Sequence, residues 1–256
     1  MRIFLGLAYD GKRFSGYQKG TGKNSVEDNI LRCVKENKLG SHLISCSRTD
    51  RNVSALMNVV SIDSDLSPIK IIGILNSNLE NIYFHRYSIV DDQRRVREVA
   101  WKKYAYILPE HGILSGIEEE DFSQFVGTHD FRNFCKFDDK PTEREILSVT
   151  EERINGKRAM IFTAKGFLWN QIRFMAGYAI EKHLHPSSTP DNPFSEGYNA
   201  RRLGPSDFLV LMQIKYENLT FTKINSRVKY NESLKLYYEG ERQSFLGSGL
   251  MDNLRR

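Results

Sequence analysis

The sequence predicts an α+β fold of two similar halves with antiparallel sheets, and three observations carry that reading. Residues 1–9 alternate with strand period: Ile3, Leu5, Leu7 and Tyr9 on one side, Arg2, Phe4, Gly6 and Ala8 on the other. Asn155-Gly156, between the runs Ile146–Ile154 and Arg158–Ala164, is the strongest hairpin signal in the chain. The first hundred residues read strand, helix, strand, turn, strand, helix, strand, and that order roughly recurs afterwards without an exact repeat of sequence. The expected division is 1–98 and 99–256.

The elements follow in order. After the first strand, Tyr9-Asp10-Gly11-Lys12-Arg13-Phe14-Ser15-Gly16-Tyr17-Gln18 is a Gly-punctuated loop of aromatics and bases. Such a loop suits contact with nucleic acid, and equally suits rings folded back onto a core. Ser25 is a good N-cap, Glu27 and Asp28 complement the first turn, and Val26, Ile30, Leu31 and Val34 recur at helical spacing. A second strand leads into a turn at Cys46–Val53, and the apolar run Ala55–Ile62 reads as a buried strand. Ser67-Pro68 opens another helix, with proline at the first helical position and Ile69, Ile72 and Leu75 among its apolar residues. In the second half, Ala100–Leu108 is a strand with Tyr104 and Tyr106 on one face, and Glu118–Val126 is a short helix carrying Phe122 and Phe125. Gly166–Ile180 is a longer helix, His183–Pro193 a polar loop, and Phe208–Tyr216 the last strand.

The bulk composition narrows the function. With 256 residues, 40% hydrophobic and 27% charged, the chain has the make-up of a soluble globular protein. A net charge of +5 favours an acidic partner such as RNA without requiring one. Three isolated cysteines, Cys33, Cys46 and Cys135, argue against a disulfide framework and against a zinc site, and fit a reducing cytoplasm. His183 and His185, the only close histidine pair, read as solvated. The N-terminus lacks the pattern of a signal peptide, and no uncharged apolar run reaches the length of a membrane span.

One stretch stands out as a place for chemistry. In Cys46-Ser47-Arg48-Thr49-Asp50-Arg51-Asn52-Val53, one carboxylate lies between two arginines. Asn52 tolerates positive φ, so a tight turn is expected there, leading into a rigid strand. The same pattern also describes a surface salt bridge at a turn. A second stretch bears on it. Between Gly166 and Glu181, Arg173 is the only charge. A buried guanidinium needs a carboxylate, because an unpaired buried charge costs several kcal/mol. Asp50 is the candidate partner, and such a pair is expected to lower its pKa; the alternatives are another acid or solvent. Bases also thicken at Arg94-Arg95-Val96-Arg97 and Lys102-Lys103, which read either as a solvated face or as an RNA-contacting groove.

Taken in order, these pieces resemble the TruA-type tRNA pseudouridine synthases. The family signature Gly-Arg-Thr-Asp-Ala-Gly-Val-His is similar to Ser47-Arg48-Thr49-Asp50-Arg51-Asn52-Val53-Ser54. Upstream, Tyr-Asp-Gly…Gly-Trp-Gln is similar to Tyr9-Asp10-Gly11…Gly16-Tyr17-Gln18. Arg-x-Tyr-x-Tyr is similar to Lys102-Lys103-Tyr104-Ala105-Tyr106, and Gly-x-x-Asp-Phe-x-x-Phe to Gly127…Asp130-Phe131…Phe134. The apolar helix matches Phe167…Ile172-Arg173…Gly177, and the late strand Gly204-Pro205…Phe208-Leu209. The matches run from about residue 3 to about residue 216; residues 217–256 match nothing in the pattern. Arg51, Asn52 and Ser54 depart from the signature, and Tyr17 replaces a tryptophan, which bears on substrate choice more than on activity.

The resemblance implies two halves joined across a central basic cleft, with helices packed on the outer face. It implies an isomerase that converts uridine to pseudouridine without cofactor or metal. Asp50 is then the nucleophile or base, Arg173 holds it ionised, and Tyr104 stacks on the uracil and is the candidate for proton loss from C5. Arg48 helps keep the target nucleotide out of its stack. Lys12, Arg13, Tyr17, Gln18, Arg95 and Lys103 are the other candidate RNA contacts. The implied substrate is the tRNA anticodon arm at uridines 38 to 40, and the implied assembly a homodimer. Three alternatives stay open: an RNA-binding protein of this fold with altered catalysis, a homologue modifying other tRNA positions, and an acid-based hydrolase, which needs further carboxylates near Asp50.

Overall fold

The computed structural model describes residues 1–20, 24–136, 141–225, 239–240 and 243, and most of the unmatched tail lies outside them. In chain order the elements are β1 (Arg2–Tyr9), α1 (Val26–Glu36), β2 (Ser41–Ser45), β3 (Ser54–Asp63), α2 (Pro68–Asn78) and β4 (Ile82–Val90). Then come β5 (Trp101–Leu108), β6 (Gly127–Asp130), β7 (Glu143–Ile154), β8 (Lys157–Ala164), α3 (Gln171–Leu184), β9 (Leu209–Lys215) and the two-residue β10 (Thr222–Lys223). The expected boundary at residue 98 falls between β4 and β5.

The local signals act as the chemistry requires. Ser25 and Asp28 form a reciprocal capping box at the start of α1, and Ser67 caps α2 with Pro68 in its first turn. Asn155 and Gly156 both hold positive φ, 50° and 79°, between β7 and β8. Two expected helices differ. Glu119–Phe125 is a 3₁₀ segment, a form whose three-residue period puts Phe122 and Phe125 on one side; both are fully buried. The helix expected from Gly166 begins only at Gln171, because Asn170 is left-handed at φ 64°, and it runs on through His183 to Leu184.

The strands form one ten-stranded sheet rather than two separate ones, in the order β10-β4-β1-β3-β9-β5-β8-β7-β6, with β2 also on β3. The described pairs are antiparallel except β3 with β9, which joins the two sets of strands through Ser54↔Val210 and Ala55↔Leu211. That junction positions the site. β1 occupies one edge of β3 along nearly its whole length. The other edge is shared: β9 takes its start, and β2 takes its end at Val60, Ser61 and Asp63. β2 and β9 therefore diverge like a fork, and residues 46–53, which connect β2 to β3, lie in its mouth.

Candidate active site

The first wall of the site is residues 46–53, fixed by buried hydrogen bonds. Asn58 is fully buried on β3, and its amide accepts from Ser47 N–H at 3.3 Å while donating to the Ser47 carbonyl at 2.9 Å. The hydroxyls of Tyr9 and Thr49 share a 2.8 Å hydrogen bond, and Tyr17 N–H donates to the Thr49 carbonyl at 3.0 Å. Val53 N–H then closes a turn onto the Asp50 carbonyl at 3.2 Å, with Asn52 at φ 69° in the third position. A type II turn needs positive φ there, and asparagine supplies it where the family signature has glycine. Ser54, in place of the signature's imidazole, accepts from Gly11 N–H at 3.0 Å. A Cβ on Gly11 would lie 2.3 Å from the Val53 carbonyl oxygen, so only glycine allows this approach. Two departures from the signature thus support the turn.

The second wall is the lead-in to α3. Phe167, Leu168, Trp169, Asn170 and Gln171 line the cavity. Gln171 turns its amide oxygen back to accept from Leu168 N–H at 2.8 Å. The expected partnership of Arg173 is present: Nη1 lies 3.6 Å from Asp50 Oδ2, with both side chains largely buried. The guanidinium donates from Nε to the Gly204 carbonyl at 3.0 Å and from Nη1 to Asn170 Oδ1 at 3.1 Å. Gly177, one turn on, lets the chain at Arg202 pack closely: a Cβ would meet the Arg202 carbonyl oxygen at 2.0 Å.

Between the walls lies a cavity of about 620 Å³. Tyr104 on β5 lines it, 8% exposed, its ring edge-on to Phe167 with centroids 5.3 Å apart. Burial pushes the Tyr104 phenol well above the usual range, so it is neutral at physiological pH. The Ser47 hydroxyl sits beside it without reaching hydrogen-bond geometry, and Ser47 Oγ and Gln171 Nε2 are buried without a partner among the described residues. Arg48, Arg51, Arg97, Lys102 and Arg144 line the same space, and Asp50 is the only carboxylate in the wall among the described residues. That excess suits phosphate, and it leaves the hydrolase reading without its second acid.

Asp50 departs from the sequence expectation in one respect. Burial raises its pKa above the ordinary carboxylate value; Arg173 first, then Trp169 and Lys136, pull it down without cancelling the loss of water. The carboxylate is dry enough to be more basic than usual.

The other expected contacts divide. Arg48 and Gln18 are exposed and line the cavity. Tyr17 also lines the cavity but is fully buried and donates to Ser45 Oγ at 2.8 Å, so its ring supports the wall rather than offering a free surface; Phe14 and Tyr9 are buried likewise. The aromatic loop has folded back onto the core. Lys12, Arg13, Arg95 and Lys103 lie outside the cavity wall. Lys12 pairs with Asp207 at 3.4 Å, Arg13 with Asp10 and Glu239, Arg95 with Glu98 at 3.7 Å, and Lys103 lies over the Trp101 ring. Strand alternation accounts for the last: Lys102 shares a face with Tyr104, whereas Lys103 faces the other way.

Sequence reasoning also missed several residues. Trp169, 48% exposed, donates from Nε1 to Asp50 Oδ1 at 3.0 Å. A tryptophan beside the only charged residue of an apolar run was the available signal. Asn58 was legible as the one amide in a buried strand. Arg97 was legible only as part of the basic run Arg94–Arg97, and Arg144 carried no local signal beyond charge. Among the described residues no group of three or more His, Cys, Asp or Glu side chains is arranged to hold a metal, and no helix is long and apolar enough to cross a membrane.

Comparison with known proteins places the chain among relatives of one activity. A family model described as tRNA pseudouridine synthase matches residues 122–217. The tRNA pseudouridine synthase A of Picrophilus torridus is 35% identical over 90% of this chain and 88% of its own length. That of Thermoplasma acidophilum is 32% identical over 97% of this chain and 94% of its own length. A solved structure titled "Crystal Structure of a Cbf5-Nop10-Gar1 Complex" covers 82% of this chain, but only 48% of that chain, at 13% identity and a TM-score of 0.37, a likeness too slight to carry weight. With such identity over nearly the full length of its archaeal relatives, the chain belongs to the tRNA pseudouridine synthases, the isomerases that convert uridine to pseudouridine in tRNA.

Proposed function

We propose that Asp50 is the reacting carboxylate of this isomerase, with Arg173 and Tyr104 as its partners, acting on uridines 38 to 40 of the tRNA anticodon arm. The observation that carries the reading is a dry carboxylate, 3.6 Å from a guanidinium, as the single acid among the described residues that line a basic cavity. In the reaction the bond from ribose C1′ to uracil N1 breaks, C1′ joins C5, the proton on C5 is lost and N1 takes up a proton, so the product is an isomer of the substrate. A desolvated anion is a stronger nucleophile and base than one in water, and either role requires contact with the extruded nucleotide. Arg173 keeps the anion populated at neutral pH. Tyr104, a neutral phenol, packs the uracil and offers its oxygen near C5. Arg48, Arg97, Lys102 and Arg144 take phosphates around the cavity, while Lys12, Arg13, Arg95 and Lys103 meet more distant parts of the RNA.

On this reading the halves 1–98 and 99–256 each supply one wall, and the enzyme works in the cytoplasm as a homodimer that shares one tRNA. The test is Asp50→Ala: the variant folds and binds tRNA, and carbodiimide labelling finds no pseudouridine in the product. Pseudouridine made by that variant at the wild-type rate overturns the assignment. Site-resolved mapping of tRNA from cells lacking the protein checks the positions, and light scattering on the purified protein checks the dimer.

A further inference from the structure

Arg173 gives Asp50 its nearest charge through a long contact rather than a short hydrogen bond. At 3.6 Å its Nη1 is beyond hydrogen-bond distance of Oδ2, and its short bonds go to Gly204 and Asn170. Among the described residues, the one short side-chain hydrogen bond to the carboxylate comes from Trp169 Nε1, at 3.0 Å on Oδ1. Trp169 is half exposed, so core packing does not explain it; its single polar atom points inward. The residue is itself held. Lys136 N–H donates to the Trp169 carbonyl at 2.9 Å, and Lys136 Nζ lies 4.3 Å from the centre of the indole ring. Left-handed Asn170 then turns the chain into α3.

We propose that Trp169 is the positioning residue of the reaction: its indole N–H fixes the rotation of the Asp50 carboxyl, reserving Oδ2 as the oxygen that meets the nucleotide. A carboxylate held only by a distant charge turns freely about its last bond. One directional hydrogen bond removes that freedom before the substrate arrives. The hydrogen bond also favours the ionised form, alongside Arg173 from α3 and Lys136 from the segment between β6 and β7. Arg48, Arg51 and Cys46 on the Asp50 loop, Tyr17 before α1, Tyr104 and Lys102 on β5, and Arg97 and Arg144 are the other charged and titratable groups lining the cavity among the described residues.

This inference rests on Asp50 being the reacting group, and the experiment separates the two. Trp169→Phe keeps an aromatic ring, though a smaller one, and removes the donor. It is expected to lower kcat for pseudouridine formation by about tenfold or more, with a smaller change in KM for tRNA. The acid limb of its pH–rate profile moves to higher pH, since the anion loses a donor. Trp169→His, which retains a ring N–H, recovers part of kcat. A Trp169→Phe enzyme with wild-type kcat and acid limb overturns the inference, as does a loss confined to KM, which marks a stacking surface only. A second measurement does not depend on activity. The chain has two tryptophans, so Trp101→Phe leaves Trp169 as the sole indole emitter. Its emission is expected to titrate in the acid range, and that titration to vanish in Asp50→Asn. Emission that ignores the Asp50→Asn change removes the hydrogen bond and the inference with it. If the titration is present but Asp50→Ala stays active, the proposed function fails instead.

Discussion

The two walls of the cavity are built in different ways. Residues 46–53 are tied to buried groups at nearly every step: Asn58 brackets Ser47, Tyr9 holds Thr49, and Val53 closes on Asp50. Residues 166–170 depend on a left-handed asparagine, a glutamine turned back on its own chain, and a tryptophan whose ring is half in solvent. The first wall is part of the core of the sheet, whereas the second is a lead-in laid against it. The difference assigns their costs. Changes in the first wall are paid in folding free energy, and changes in the second in rate.

The sharpest break in that comparison is Asp50 itself, which belongs to the first wall but whose burial is a liability. Asp50→Asn is expected to abolish turnover, by about 10³-fold or more. Its effect on stability has the opposite sign to that of its neighbours. The folded-state pKa of Asp50 lies above its ordinary value of 3.8, so the folded protein binds this proton more tightly than the unfolded chain does. The stability this group contributes is present at low pH and lost as pH rises through the folded pKa. Asp50→Asn is therefore at least as stable as wild type at pH 7, with the advantage shrinking as pH falls. Denaturant unfolding at pH 7 and near pH 4 measures it, and a less stable variant at pH 7 contradicts the cause given for the shift.

Asn58→Ala tests the first wall from behind. It leaves Ser47 N–H and C=O buried without their partner, at a cost of about 2–3 kcal/mol, read as a lower urea midpoint. An equal loss of stability from Trp169→Phe would erase the distinction between the walls.

The basic rim gives a smaller effect. Lys102→Ala is expected to weaken tRNA binding several-fold and reduce the slope of log Kd against log salt by about one. Lys103→Ala, on the other face of β5, changes the slope less, and equal slopes for the two refute the strand-face argument.

The smallest effect is at Asn52. With φ at 69°, Asn52→Gly is expected to change stability by only a few tenths of a kcal/mol, whereas Asn52→Ala costs about 1 kcal/mol. Thermal unfolding of the pair distinguishes turn geometry from the weak 3.5 Å contact between the Asn52 amide and Ser206, which both variants remove.

Much of this protein was determined locally. Caps at Ser25 and Ser67, strand alternation in β1, the Asn155-Gly156 turn and the positive φ of Asn52 depend on a few consecutive residues, so they were legible before any folding. The isolated Arg173 was legible too, because burying a lone guanidinium demands an acid somewhere. What the chain could not declare was anything set by contacts across long separation. The fusion of the strands into one sheet rests on a two-residue parallel pairing of β3 with β9, more than 150 residues apart. The start of α3 was decided by Asn170 adopting the left-handed region, which the surrounding apolar run conceals. The upward shift of the Asp50 pKa is a contest between lost water and an added guanidinium. Its sign follows from how completely the other wall covers the carboxylate, a quantity that exists only once both walls are in place.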